Sequence, residues 1–490
     1  MSVDTLHPEY QSHQADWKVM RDVVKGHKAI QAGGIKYLPK LSDQTNEEYK
    51  AYKGRATFFN ATGRVVDAMV GMVFRKDPTF EKDEGIKDIL KDVTLSGVPF
   101  NAFAEDVLRE ALIENRAGVL VDFPTVQKQE GEVITLDVAA RKGLRVYATK
   151  YVAESIINWR TEQVGGKTVL SMVVLQEEHR EIDPKNAFAF KCSPQFRVLL
   201  LDGGKYRQEI WRNVEKKENR GKKGTVALTK VADYFPLKNG APLDYIPFVF
   251  FGAKGNDTCV EDPLLYDLAM VNLAHYRNDA DLEHGLHFTG LPTPVVTGIS
   301  NTNDTYRIGS CVAWGFENPE ANAFYLEFKG EGLGQLRTGK KDKEEQMAAL
   351  GARMLSPEKK DAESADALAQ KRQGENSALG GLANSCARSF SLVLTMMADW
   401  AGKAADVVVK LNTDYIPAAM PPEQIRALLE AVVSGNMSKE TFFEAMVKGE
   451  VIAPGRTYEE EQSRIAEDVA SNPNPQPLDD DEQPPRREAA

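Results

Sequence analysis

Residues 340–402 read KKDKEEQMAALGARMLSPEKKDAESADALAQKRQGENSALGGLANSCARSFSLVLTMMADWAG, and the reading of this stretch decides the fold. It holds two helical patterns separated by the polar break Leu355-Ser356-Pro357-Glu358-Lys359-Lys360-Asp361. No proline interrupts the second pattern from Ala362 to Gly402. At 1.5 Å per residue it predicts a rod of roughly 60 Å, against about three turns for an average helix. Its C-terminal half carries Leu379, Leu382, Cys386, Phe390, Val393, Met397 and Trp400 at steps of three and four, the spacing of a buried stripe. The N-terminal half is small and polar, and Gly374, Gly380 and Gly381 between the halves predict a kink or a close approach. Ahead of the break, Lys340 to Leu355 predicts a shorter helix with Met347, Leu350 and Met354 on one face. The break has two readings. Either Ser356 caps a helix that starts at Pro357, or Lys359 and Lys360 sit on an exposed loop where two long helices meet.

Working outward, a chain of 490 residues exceeds one ordinary core and predicts more than one domain. With 42% hydrophobic and 27% charged residues it has the balance of a soluble globular protein. No apolar run is long enough for a bilayer-spanning helix, and Met1-Ser2-Val3-Asp4 lacks the marks of a secretory leader. Cys192, Cys259, Cys311 and Cys386 are widely separated with no CxxC pair, which points to a reducing compartment. A net charge of −11 argues against a protein that coats nucleic acid, though not against a surface past which DNA slides.

Along the chain, helices are expected over Ala15–Gln31, Arg55–Gly71 and Asn101–Asn115, the last with Phe103, Val107, Ala111 and Leu112 inward. Strands are expected over residues 119–124, Thr168–Gln176, Phe196–Leu201 and Tyr245–Phe251. Asp202-Gly203-Gly204 is a turn, and the Lys216–Gly224 segment a solvated loop. Asp262-Pro263 reads as an N-cap and first helical residue. The helix it opens has Leu264, Leu268 and Val271 on one side and Asn272, Tyr276, Asp279 and Glu283 on another, the acids reading as a solvated face. Two strands, around Val295 and Phe324–Phe328, form a small lobe before the next helix. Beyond the rod, helices are expected from Pro422 to Gly435, Ser438 to Lys448 and Tyr458 to Ala470, and the proline-rich acidic end should be disordered.

Motifs of catalysis are scarce. Gly334-Gln335-Leu336-Arg337-Thr338-Gly339-Lys340-Lys341 nearly spells a P-loop, but Lys341 stands where Ser or Thr would hold magnesium. His284 and His287 lack the carboxylate or thiolate company of a metal site at matched spacing, and suit the negative end of a helix. No nucleophile elbow, HExxH or GxGxxG after a strand occurs. No cofactor and no metal are expected.

The order of parts carries more than any motif. With Tyr37-Leu38-Pro39, Arg55-Ala56 through Lys76, Gly118–Asp122, Glu154–Arg160, Ile246-Pro247 and the helix from Pro263, it resembles tailed-bacteriophage portal proteins. Within those it is most similar to a portal-like phage family long catalogued as a domain of unknown function. The resemblance implies an α+β, mainly helical, portal-type fold: a wing over 1–262, a stem helix over 263–290 and a clip over 291–339. A second stem helix follows over 340–355, a tunnel loop over 356–361, and a long wing helix over 362–415. Crown-side helices over 416–470 and an acidic tail over 471–490 complete it. It also implies a non-enzymatic dodecameric ring at one capsid vertex, in the virion and, during assembly, the host cytoplasm. Its implied partners are double-stranded DNA, the terminase large subunit, a head–tail adaptor and the major capsid or scaffold protein, with no membrane. Lys340, Lys341, Lys343, Lys359 and Lys360 would face the DNA channel. The alternatives are another head–tail connector or minor capsid protein, or an NTP-binding enzyme using residues 334–341.

Overall fold

The computed structural model describes residues 2–83, 85–124, 144–183, 185–216, 225–238, 240–291, 293–298, 316, 318–326, 330–355, 377–403, 406–415, 422–449, 451–452 and 456–471. The chain divides into two compact units, Met1–Thr413 and Asp414–Ala490. In the first, helices α1 (Pro8–Lys25), α2 (His27–Gly33), α3 (Asn46–Arg55), α4 (Ala61–Val73), α5 (Lys87–Lys91) and α6 (Phe100–Glu114) come early, with the short strand β1 (Thr79–Glu81) among them. Next come β2 (Ala117–Asp122), β3 (Tyr147–Val152), β4 (Ile156–Val164), β5 (Lys167–Asp183), β6 (Asn186–Asp202), β7 (Lys205–Lys216) and β8 (Thr225–Tyr234). The short pair β9 (Leu237–Lys238) and β10 (Ala241–Pro242) precedes β11 (Phe248–Phe251). The unit closes with α7 (Tyr266–Gly290), β12 (Thr293–Thr297), β13 (Asn322–Leu326), α8 (Leu333–Arg353), α9 (Ala378–Trp400) and β14 (Val408–Lys410). The second unit holds α10 (Pro422–Val433), α11 (Lys439–Lys448) and α12 (Tyr458–Ser471).

The architecture is mixed α+β. The largest sheet is an antiparallel meander, β4-β5-β6-β7-β8, and a second sheet runs β11-β2-β3. Sequence patterning finds only the inner parts of β5 and β6, because their outer halves are mostly exposed and lack an apolar alternation. The β4–β5 turn is Gly165-Gly166, both at positive φ, and Gly203-Gly204 makes the β6–β7 turn in the same way. Residues 217–224, expected as a solvated loop, lie outside the described residues.

The core lies where α9 crosses the second sheet. Its stripe of Leu379, Leu382, Cys386, Phe390, Val393, Met397 and Trp400 is buried, as the spacing predicts. The Phe390 ring lies 4.7 Å from Phe251 and 5.3 Å from Phe100, and side chains of this size contribute about 1.5–3 kcal/mol each on full burial. Two serines lock the helix to the strand edge: Ser385 Oγ donates to Gly252 O (2.8 Å) and Ser389 Oγ to Phe250 O (3.0 Å). Helix α6 packs Phe103, Val107, Ala111 and Leu112 inward and stops at Asn115, which takes the left-handed conformation with φ 52°.

Four helix boundaries differ from the expectation, each for a local reason. An unbroken helix over Ala15–Gln31 gives way to α1 and α2, because Gly26 at φ +85° turns the chain and bonds back to Asp22 and Val23. An unbroken Arg55–Gly71 helix gives way to α3 and α4. Between them the backbone is held open by side chains, with Thr57 N donating to Asp279 (2.8 Å) and Phe58 N to His27 Nδ1 (3.1 Å). Asp262 does not cap α7, which begins at Tyr266 after Leu265; its carbonyl instead accepts from Asn115 Nδ2 (3.1 Å). A single rod through Ala362–Gly402 is interrupted at Ser377, which is extended and caps α9 by accepting from Gly380 N at 3.0 Å. Residues 356–376, including the expected tunnel loop and the first half of the rod, lie outside the described residues.

In the second unit Ser438 caps α11 by accepting from Thr441 N, and Gly435 at φ +78° ends the α10 segment. Thr457 and Glu460 cap α12 reciprocally, side chain to backbone each way. The helices lie close to the sequence reading. Residues 472–490, expected as a disordered tail, lie outside the described residues.

Candidate functional site

The feature that sets this chain apart is a helical hairpin, α7 and α8, closed at its far end by a two-stranded lobe. Strands β12 and β13 pair antiparallel from Thr293↔Leu326 to Thr297↔Asn322. At the lobe end the helices approach closely, since a Cβ on Gly285 would stand 2.5 Å from Leu333 Cδ2. Beside it is an open, mostly apolar cavity of about 460 Å³ bordered by His284, Phe288, Leu333 and Leu336. Much of the lobe, residues 299–315 and 327–329, lies outside the described residues.

Polar groups tie α7 to α8 and to the segment that leads into α4. The face of α7 whose acids patterning reads as solvated is buried along with the apolar one: Asn272, His275, Tyr276 and Asp279 are all inside, as are Leu268, Leu273 and Leu282. Asn272 Oδ1 accepts from Thr62 N (3.1 Å) and Thr62 Oγ1 (3.0 Å), while its Nδ2 donates to Phe59 O (2.7 Å). Asp279, 4% exposed, accepts from Thr57 N and from Lys340 Nζ, the latter at 2.5 Å. His275 Nε2 meets Glu344 of α8 at 3.1 Å. Tyr52 OH donates to Asp281 (2.6 Å), and burial followed by that carboxylate holds the phenol well above its ordinary range. On α8 itself Met347 is the one fully buried residue among those described within the helix. The signal for this seam was present in the sequence: Asn272, His275, Tyr276 and Asp279 follow the 3–4 spacing of an inner stripe.

The expected channel lysines separate. Lys340 lies inside the hairpin on Asp279. Lys341 is exposed and faces Glu345 at 3.8 Å, a pair of little energetic weight at the surface. Lys343 Nζ donates back to Gly339 O (3.3 Å), one turn away. Lys359 and Lys360 lie outside the described residues. The near-P-loop residues Gly334 to Lys341 are inside α8, whose backbone N–H groups beyond the first turn are engaged in the helix. His284 is packed edge-on to Tyr52 (5.2 Å), and burial, then Arg55, lowers its pKa. Among the described residues no group of three or more His, Cys, Asp or Glu is arranged to hold a metal ion.

Two buried ionic networks brace the sheets beneath. Arg21 of α1 reaches Glu110 (2.8 Å), Glu114 and Glu154 (2.5 Å). Burial, then the neighbouring Glu154 carboxylate, pushes the Glu114 carboxyl up to about 10. Arg197 of β6 bridges Glu177 (2.7 Å) and Asp122 (3.3 Å). Arg116 is sandwiched between the rings of Trp159 (4.2 Å) and Phe250 (4.4 Å). Each network ties a helix or strand to its neighbour.

Residues 263–401 match the family described as "Domain of unknown function (DUF4055)". That span takes in α7, the β12–β13 lobe, α8 and α9. No curated protein matches. Solved structures that the chain is similar to include a chain of the "Virion of native gene transfer agent (GTA) particle", at 10% identity and TM-score 0.39, covering 84% of this chain and 96% of that one. A chain of the "Neck of empty GTA particle computed with C6 symmetry" is 11% identical with TM-score 0.39, covering 87% of this chain and 98% of that one. A chain of the "Neck of native GTA particle computed with C12 symmetry" is 10% identical with TM-score 0.37, covering 78% and 88%. No helix among the described residues is long and apolar enough to cross a membrane.

Proposed function

We propose that this chain is a portal protein of a tailed-phage-like particle. It would form a ring, dodecameric in the assembled particle, at one capsid vertex. Through that ring DNA is packaged and ejected, and on it the terminase large subunit and a head–tail adaptor dock in turn, while the major capsid or scaffold protein surrounds it. The protein does no chemistry of its own; it resides in the virion and, before assembly, in the host cytoplasm.

The observation that carries this reading is the order of parts: an α+β body, then α7, a β lobe, α8 and a separately capped α9. The matched span 263–401 coincides with that sequence of helix, lobe, helix, helix. Physically the hairpin suits a conduit. A long helix pair pinned to each other by His275–Glu344 and Asp279–Lys340, and anchored to α4 through Asn272, resists bending, and α8 leaves its outer face charged and of mixed sign. A wall that neutralised many phosphates would hold DNA with a strongly salt-dependent affinity and stall it. A chain of net charge −11 does not. In this reading Lys341 and Lys343 from the stem, with Lys359 and Lys360 from the following loop, supply the summed basic field along the channel; Lys340 is held at the stem's inner seam.

The test is packaging by particles assembled with Lys359→Ala and Lys360→Ala together. Intact rings with reduced nuclease-protected DNA support the reading. Wild-type packaging removes these lysines from it, and packaging that needs no copy of the chain removes the reading altogether.

A further inference from the structure

Helices α8 and α9 meet end to end. Helix α8 stops at Arg353, with Met354 as its cap and the Leu355 N–H bonded back to Ala352 O (3.0 Å). Helix α9 begins at Ala378 behind the extended Ser377, whose Oγ accepts from Gly380 N (3.0 Å). Between the two ends runs a direct backbone bond, Leu379 N donating to Met354 O at 3.0 Å. An amide in the first turn of a helix has no intrahelical acceptor, and the last carbonyls of a helix have no intrahelical donor. Here one helix end supplies what the other lacks. The positive pole of the α9 dipole also faces the negative pole of α8, which favours the junction further.

The junction is buried and held from both sides. Leu379 is 0% exposed, Ser377 2% and Met354 7%. On the α8 side the last turn rests on α4, where a Cβ on Gly351 would stand 3.5 Å from Val65. On the α9 side Leu382 and Cys386 continue the buried stripe, and Ser385 fixes the helix to Gly252 O (2.8 Å). None of these contacts involves residues 356–376, which sequence patterning reads as a loop and the first half of a rod. That stretch leaves α8 and enters α9 through one closed neck.

We propose that α8 and α9 form a packing unit complete without residues 356–376, so that this stretch is an inserted module whose length the surrounding fold does not read. With both ends pinned at the neck, added or removed residues act on native stability through loop closure, which grows only with the logarithm of length. Insertion and excision are tolerated where the affected backbone adds no burial or hydrogen bonding to the core. The inference concerns the fold of a single chain and does not rest on the portal reading.

Two full-length variants test it. One replaces residues 356–376 by a six-residue Gly/Ser linker, which reaches about 20 Å. The other doubles the stretch with Gly/Ser residues placed between Asp366 and Ala367. Amide exchange in peptides within 343–355 and 377–390 should match the parent in the shortened chain. In the lengthened chain the opening equilibrium of the neck should change by no more than about threefold. A continuous rod through Ala362–Gly402 requires the opposite, because Gly/Ser placed at 366 cuts it. Exchange faster by about tenfold or more on either side of the neck, in either variant, overturns the inference, as does a shortened chain that loses its far-ultraviolet circular dichroism.

Discussion

Replacing Asp279 by alanine should loosen the α7–α8 hairpin, and the structure sets the size. Asp279 is almost wholly buried and accepts two hydrogen bonds, from Thr57 N and Lys340 Nζ. Removing it leaves the Thr57 N–H without its acceptor, which costs about 1–3 kcal/mol. Lys340 keeps 28% of its side chain exposed and can re-solvate, so the lost ion pair adds only about 1 kcal/mol. The sum is about 2–4 kcal/mol, or roughly 30- to 1000-fold in a local opening equilibrium. Asp279→Asn keeps an acceptor for Thr57 and loses only the charge pairing, so about 1 kcal/mol, near fivefold, is expected. Amide hydrogen exchange followed by mass spectrometry on peptides within 333–353 reads this directly, without assuming that a chain of 490 residues unfolds in one step. Exchange in α8 that is unchanged by Asp279→Ala would refute the polar-seam account, and so would an Asn variant as damaging as the Ala variant.

Other perturbations give equally definite outcomes. Glu114 is held at about 10 in the fold against an ordinary 4.5, so the stabilisation linked to its proton is complete below about 4.5 and is lost progressively as pH rises toward 10. Glu114→Gln should therefore flatten the fall in α1 and α6 exchange protection between pH 6 and 9; equal slopes in the two proteins would remove Glu114 as the cause. Ser377→Ala removes the cap of α9 and should cost about 1 kcal/mol, seen as faster exchange at Gly380 and Gly381 with the buried stripe unaffected; an unchanged first turn would mean that the cap is idle. Deleting Ser300–Ala321 from the lobe should impair ring formation or adaptor binding while protection of the β2–β3–β11 sheet persists, and normal rings that still bind adaptor would contradict it.

How much was legible in the sequence follows from what each element presents to water. Helices α6 and α9 are plain because Phe103, Val107, Phe390 and Met397 repeat at helical spacing against one apolar wall. The outer ribbon of β5 and β6 was not, because Glu177 to Pro194 has no face to bury within the chain and so no alternation to detect. The seam on α7 was misassigned because its inner row is polar. Asn272 and Asp279 are satisfied by backbone N–H groups of residues 57–62, partners more than 200 positions away that no local pattern reports. The break between α3 and α4 has the same origin, since the Thr57 N–H turns to Asp279 of α7 and the Phe58 N–H to His27 of α2 instead of closing a helix. Among the candidate lysines, Lys340 could not be told from Lys341 by spacing alone; the carboxylate that claims it comes from another helix.

The proposed function requires a ring built from this chain around a channel. Electron micrographs of the purified full-length protein test it most directly, because a single class average reports both closure and symmetry. Rings with a central hole are expected, with twelve-fold symmetry in the assembled particle. A uniform population of compact monomers or dimers at the concentrations used for assembly, with no central hole in any view, would contradict it.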